Sequence, residues 1–238
     1  MESGSPGMNI GSTQWKNIIY DGARALDVRM EREKTDQFAI HAAELLKWSQ
    51  KTNLTAISDP LEVAVKHFLD SIAPVPFIPQ NISLLDVGSG GGFPGIPLKI
   101  IIPSLSVTLM DASRKKVSFL KHMIRMLGLK KIEACHATAQ DLSKDFTTHR
   151  GYDVIISRAL SSTVNFVQIS LPLLAKHGMI IAMKGKITDK EIQSARSVID
   201  KPLDMQGNRM SGVDIGLKKY RLPYLNSQRT LVIMKNLF

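Results

Sequence analysis

Along the C-terminal two-thirds of the chain, short apolar runs alternate with longer segments of helical spacing. Ile82–Val87, Ser106–Met110, Ile132–Ala137, Asp153–Ser157 and Met179–Met183 read as strands. Tyr220 lies in a sixth, and Thr230–Met234 alternates as a last one. Runs apolar at nearly every position fit strands covered on both faces, as in parallel sheets. Of the intervening helices, Ser113–Leu127 is the clearest. Its stripe is Val117, Leu120, Ile124 and Leu127, while Arg114, Ser118, Lys121 and Arg125 share the other face. Regular alternation of this kind predicts an α/β fold, with a mostly parallel seven-stranded sheet between helical layers.

Upstream the pattern is helical only. Asp36 is placed to cap a helix running through Phe38, Ile40, Leu45, Leu46 and Trp48 to Lys51, with Asn53 at its end. Pro60 opens another through Leu61, Val65, Phe68 and Ile72, ending in Pro74-x-Pro76-x-x-Pro79. The expected organisation is a disordered lead-in at 1–7, an N-terminal helical extension at 8–80 and a Rossmann-like core at 81–238, with extension and core in one compact unit. The 238 residues, 44% of them hydrophobic, suffice for a real core. No apolar run reaches the roughly 18 residues of a membrane span, because Lys99 and Pro103 interrupt the best one. The first seven residues lack the basic and apolar regions of a signal peptide, and Met8 is an alternative start. A single cysteine, Cys135, excludes an internal disulfide and any multi-cysteine zinc site. The expectation is a cytoplasmic, metal-free monomer.

Chemistry concentrates after the first strand. Asp86 closes it, and five glycines follow within eight residues, from Gly88 to Gly95. Glycine permits positive φ and close approach of a ligand to the backbone. Pro94 suits a helix start. Gly90-x-Gly92-x-x-Gly95, with Asp111 twenty-one residues beyond Gly90, satisfies a dinucleotide fingerprint. Asp86, Gly88, Gly90 and Gly92 equally satisfy the acid-x-Gly-x-Gly-x-Gly form of S-adenosylmethionine enzymes. Asp86 favours the second, since a carboxylate repels pyrophosphate and suits an ammonium. In such a sheet ligands sit at the carboxyl ends of the strands. The candidates there are Asp86 and Gly88 to Gly92, with Gly88, Ser89 and Gly90 foremost, and Asp111, then Thr138 to Asp141, Ser157-Arg158 and Lys184-Gly185.

The charge changes the picture of the partner. Thirty-one basic residues against 21 acidic give +10, which attracts polyanions. Aromatic content of 6% provides no obvious base-stacking platform. Two methylation chemistries are disfavoured. Cys135 lies inside the third strand, away from the site where a covalent cysteine would attack a pyrimidine. Ser157-Arg158-Ala159-Leu160 stands where an Asn/Asp-Pro-Pro-Tyr/Phe motif for exocyclic amines would follow the fourth strand. A nicotinamide-dependent oxidoreductase and a non-catalytic nucleoside-binding module remain as alternatives to a methyltransferase.

The run Asp86-Val87-Gly88-Ser89-Gly90-Gly91-Gly92-Phe93-Pro94-Gly95-Ile96-Pro97-Leu98 resembles the signature of the ribosomal small-subunit methyltransferase G family, also called glucose-inhibited division protein B. Asn53-Leu54-Thr55-Ala56 with His67-Phe68-Leu69-Asp70-Ser71 is similar to its upstream motif. Ser113-Arg114-Lys115-Lys116-x-x-Phe119-Leu120, Asp153–Ala159, Met183-Lys184-Gly185, Leu222-Pro223 and Arg229–Val232 match further family segments, so the likeness covers about residues 45–235. It implies a class I S-adenosylmethionine-dependent methyltransferase acting on N7 of a guanine in 16S ribosomal RNA, either in the small subunit or in an assembly intermediate. By the family pattern, cofactor contacts fall on Gly88, Phe93, Ala139, Gln140 and Arg158, and Arg158 orients the reacting groups without a general base. Thr138-Ala139-Gln140 departs from the family's arginine, small residue and glutamate: Gln140 keeps hydrogen-bonding capacity but not charge. Expected RNA contacts are Asn53, His67, Arg114, Lys121, Arg125 and Lys184, with Asp70 also on the substrate side.

Overall fold

The computed structural model describes residues 8–137, 151–158, 162–199, 213–225 and 227–236. Its centre is a seven-stranded sheet: β1 (Ser83–Val87), β2 (Ser106–Asp111), β3 (Ile132–His136), β4 (Tyr152–Arg158), β5 (Leu174–Lys184), β6 (Val213–Leu222) and β7 (Ser227–Asn236). The order is β3-β2-β1-β4-β5-β7-β6. Strands β1 to β5 pair in parallel, and β7 is antiparallel to both β5 and β6. The chain runs from β1 outward through β2 to β3 and then returns to β4 on the other side of β1, and this reversal opens a crevice above the carboxyl end of β1.

Both faces of the sheet are covered, as the continuous apolar runs predicted. Leu84 and Ile156 point into one core layer, Leu85 and Ile155 into the other. The first layer holds helices α1 (Thr13–Ala25) and α2 (Lys34–Thr52), a third helix α3 (60–72), α4 (Gly95–Ile101) and α5 (Arg114–Met126). The second holds α6 (Thr163–Ser170) and α7 (Asp189–Ile199). Trp15, Phe38 and Phe68 from the first eighty residues belong to the same apolar cluster as Leu84, Leu109 and Leu120. Loss of any one of these large side chains would open a cavity costing about 3–5 kcal/mol.

The helical extension departs from prediction twice. Asp36 does not cap α2: the helix begins at Lys34, and Asp36 sits in its first turn, paired with Lys16 Nζ at 2.5 Å. A carboxylate there favours the positive end of the helix without accepting its orphan N–H groups. Asn53 does end α2, in the left-handed conformation at φ 48°. The helix opened by Pro60 is capped by Asp59, whose Oδ1 accepts from Glu62 N–H at 2.8 Å. Its middle, Val63–Leu69, is a π-helix between α-helical ends. Helical spacing does not reveal such a segment here, because Val63, Ala64, Val65, Phe68 and Leu69 are apolar and buried on nearly every side, so an extra residue per turn breaks no stripe.

Candidate functional site

The glycine loop is built from its backbone outward. Gly88 and Ser89 N–H both donate to the Met110 carbonyl, at 2.8 and 2.9 Å, which ties the loop to the end of β2. Gly88 and Gly90 have φ of +75° and +56°, a region costly to residues with a Cβ. Gly88 is exposed, and a Cβ added there would meet no atom of the described residues within 4 Å. Gly95 has the opposite reason to be glycine, since a Cβ would lie 2.3 Å from Leu109 Cδ2 and 2.8 Å from Asp86 Oδ2.

Asp86 was expected to face a ligand's ammonium, and the structure turns it inward. It is fully buried, and Oδ2 accepts from Gly95 N–H at 2.9 Å at the start of α4. Orphan N–H groups at a helix start draw a carboxylate, which here fixes the far side of the loop. Burial pushes its pKa up to about 7 against the opposing Gly95 bond, and among the described residues Oδ1 has no hydrogen-bond partner. Ser89 also serves the loop, its hydroxyl donating to the Asp86 carbonyl at 3.0 Å. Asp111 bridges loop and helix: Oδ2 accepts from Gly90 N–H at 2.9 Å and Oδ1 from Ser113 N–H at 2.8 Å. What remains open is the floor over Gly88 and Gly90, edged by a carboxylate at the end of β2. Ala139 and Gln140 lie outside the described residues.

Phe93 is not presented to this floor either. Its ring is buried in a stack, 4.8 Å from His41 of α2 and 4.7 Å from His67 of the π turn, with interplanar angles of 13° and 12°. His41 Nε2–H donates to the Gly91 carbonyl at 2.8 Å. The helical extension thus clamps the loop from outside.

Arg158, at the end of β4, closes the clamp. Its Nη1 donates to the Lys66 carbonyl at 2.6 Å, its Nη2 meets His67 Nδ1 at 3.3 Å, and its guanidinium lies 5.0 Å from the Phe93 ring centroid. The π turn makes this possible. Asp70 N–H bonds to the Val65 and His67 carbonyls, so the Lys66 carbonyl is released to the arginine. Because Arg158 only donates, His67 Nδ1 accepts and its Nε2–H donates to Thr55 Oγ1 at 2.8 Å. Asp70 sits 3.6 Å from both Arg158 and Arg229 and accepts from the Tyr220 hydroxyl at 2.7 Å. Burial and Asp70 raise the Tyr220 pKa, keeping it a donor.

These groups face an open cavity of about 380 Å³ beside the glycine loop, lined in part by Lys66, His67, Asp70, Arg158, Lys184 and Arg229. Of the RNA contacts expected from sequence, His67 and Lys184 reach it. Asn53 is exposed at the end of α2, and Arg114, Lys121 and Arg125 occupy the exposed face of α5 without lining it. Sequence reasoning missed His41, Lys66 and Arg229. Arg229 carried no local signal, since it stands among polar neighbours, Ser227, Gln228 and Thr230, ahead of the apolar run that begins at Leu231. Cys135 is half-buried in β3, as expected, with its thiol pKa raised by burial. Among the described residues no cluster of metal-binding side chains occurs, and no helix is long and apolar enough to cross a membrane.

The buried titrating groups fix a pH dependence. Burial lowers His41 to about 4, and burial with the Arg158 charge lowers His67 to about 3. Between pH 4 and 6.5 the unfolded chain binds two protons that the native histidines refuse, so stability rises with pH. Asp86 acts oppositely, since its native carboxyl keeps a proton up to about pH 7 that the unfolded chain loses near 3.8. Two against one leaves a net climb of about one proton, on the order of 1.4 kcal/mol per pH unit. Urea unfolding at pH 4.5, 5.5 and 6.5 should show that climb, and His67→Gln should flatten it. A stability that falls over this range would contradict the assignment.

Residues 34–208 match the family model described as rRNA small subunit methyltransferase G. The chain is 39% identical over 215 residues to a ribosomal RNA small subunit methyltransferase G of Geobacter sulfurreducens, covering 90% of this chain and 94% of that protein. To the protein of the same name from Geotalea uraniireducens it is 40% identical over 221 residues, 92% of this chain and 96% of the other. In fold it is similar to the crystal structure of a SAM-dependent methyltransferase from Aquifex aeolicus. There the TM-score is 0.54 at 16% identity, covering 78% of this chain and 97% of that one.

Proposed function

This chain belongs to the rRNA small subunit methyltransferase G family, and we propose that it transfers the methyl group of S-adenosylmethionine to N7 of a guanine in 16S ribosomal RNA. The observation that carries this reading is the juxtaposition of two open surfaces, the side-chain-free floor over Gly88 and Gly90 and the cationic cavity next to it. The first takes a nucleoside donor, the second a nucleotide acceptor, and Arg158 stands between them. S-adenosylmethionine, when bound, supplies a methyl group on a sulfonium centre. Gly88, Gly90 and Asp111 are the residues that would hold it.

Guanine N7 has a lone pair and no proton. As it bonds to the methyl carbon, the carbon–sulfur bond breaks with its electrons left on sulfur, and the base becomes a cation. No proton leaves, so no general base is needed, and none of the described groups in the cavity is placed as one. Asp70 is held by a hydroxyl and two guanidinium groups, and His67 has both ring nitrogens engaged. Holding nucleophile and methyl in line supplies the acceleration through proximity. Net charge of +10 favours encounter with the RNA.

A thermal-shift comparison tests the donor. S-adenosylhomocysteine at about 100 times its Kd should stabilise the protein by ~2.7 kcal/mol, because it binds only the folded state. NAD at the same concentration should produce no shift. A larger shift with NAD would replace methyl transfer by nicotinamide chemistry.

A further inference from the structure

We propose that the cationic cavity is a phosphate-bearing nucleotide subsite, in which Arg229 and Lys184 hold the phosphate attached to the target guanosine and Gly185 is left without a side chain to admit it. This rests on the RNA-methylation reading above and names the part of the substrate that the cavity takes.

Charge is the first support. Lys66, Arg158, Lys184 and Arg229 converge on one concave wall, and among the described residues Asp70 is the only acid lining it. His67 is neutral near pH 7, so it adds no charge. Asp70 is shared by Arg158, Arg229 and the Tyr220 hydroxyl. Lys66 and Lys184 pair with Glu62 and Glu191, both outside the lining. Arg158 is anchored on the Lys66 carbonyl and His67, which makes it a positioning residue for the cavity wall. Arg229 instead enters from β7, touching Asp70 through Nε at 3.6 Å and the Gln228 carbonyl through Nη1 at 3.3 Å. A planar guanidinium beside a lysine, on the paired strands β7 and β5, matches a phosphate better than it matches a neutral base edge.

Gly185 is the second, independent support. Its φ lies outside the left-handed region, so the backbone does not require glycine there. Beyond its chain neighbours, a Cβ would meet one atom of the described residues within 4 Å, Arg229 Nη1 at 3.9 Å. Neither conformation nor packing excludes a side chain at this position, and the space one would fill is the space in front of Arg229. Ile57 and Met183 line the same cavity and offer apolar contact to a base or sugar. The volume of about 380 Å³ lies at the small end of ligand pockets and suits one nucleotide.

The test titrates guanosine 5′-monophosphate, guanosine and inorganic phosphate, separately, into the full-length protein saturated with S-adenosylhomocysteine. The monophosphate should bind roughly ten- to a hundredfold tighter than guanosine, the range expected of charge-assisted hydrogen bonds. Arg229→Gln should erase that advantage. Gly185→Val should weaken the monophosphate at least as much, with S-adenosylhomocysteine affinity retained. Should valine impair folding, Arg229→Gln alone still decides. Equal binding of nucleotide and nucleoside, or an unchanged advantage in Arg229→Gln, would overturn the proposal. So would inorganic phosphate binding as tightly as the nucleotide, which would mean a simple anion site. Mutual exclusion of the monophosphate and S-adenosylhomocysteine would overturn it too, giving the cavity to the donor's carboxylate. Failure of S-adenosylhomocysteine to bind at all would strike the methyl-donor reading, a separate outcome.

Discussion

Gly88→Ala is expected to fold normally and lose its nucleoside ligand, whereas Gly95→Ala is expected to lose stability. The two glycines lie seven positions apart in one loop, but the loop uses them differently. At Gly88 a Cβ meets no atom of the described residues within 4 Å, so the cost to folding is the left-handed φ of +75°, about 1–2 kcal/mol. The added methyl occupies the exposed floor where the ligand's approach must be closest, and a loss in S-adenosylhomocysteine affinity on the order of a hundredfold, ~2.7 kcal/mol, is expected. At Gly95 the Cβ falls on the buried side chains of Leu109 and Asp86. Overpacking of this kind costs about 1–3 kcal/mol, at about 2–4 °C of melting temperature per kcal/mol in a protein of this size. Calorimetric titration and thermal melts of both variants separate the effects. Wild-type affinity in Gly88→Ala would remove the loop from the ligand site.

The second large effect concerns Arg158. Arg158→Ala should slow methyl transfer ten- to a hundredfold or more, the range for loss of charge-assisted contacts worth about 1.5–3 kcal/mol. Because the guanidinium bonds to the π turn and lines the cavity, S-adenosylhomocysteine affinity should change little while the single-turnover rate falls. Arg158→Lys should rescue little. One ammonium cannot hold the Lys66 carbonyl, His67 Nδ1 and the Phe93 face together as the planar fork does. A fall in affinity with an unchanged rate would instead assign Arg158 to the donor.

The sheet was legible because the centre of a strand buried on both faces must be apolar, as Leu84-Leu85 in β1 and Val154–Ile156 in β4 are. Strand ends were less so: β5, β6 and β7 extend well beyond their apolar centres because exposed ladder positions tolerate Lys, Gly and Asp. The glycine loop was legible as a turn, but the direction of Asp86 was not. The same acid-x-Gly spacing serves a ligand's ammonium or the N–H of Gly95, and only the packing of α4 on β2 decides. Phe93 shows the same limit, since its ring is captured by His41 and His67 from helices distant in sequence. The cavity was half legible. Lys184 and Arg158 follow strands, where the fold puts ligands, but Asp70 and Arg229 meet across about 160 residues and no local pattern announces it. The π turn that frees the Lys66 carbonyl leaves almost no mark on apolar periodicity.

The most direct measurement incubates the protein with methyl-labelled S-adenosylmethionine and small-subunit RNA, naked or in particles, from cells lacking this modification. The RNA is then digested and the labelled nucleoside identified. Label should appear in 7-methylguanosine, at one position of 16S RNA, and only with protein able to bind S-adenosylhomocysteine. Label in a methylated adenosine or pyrimidine, or no label with a protein that binds the donor, would contradict the account.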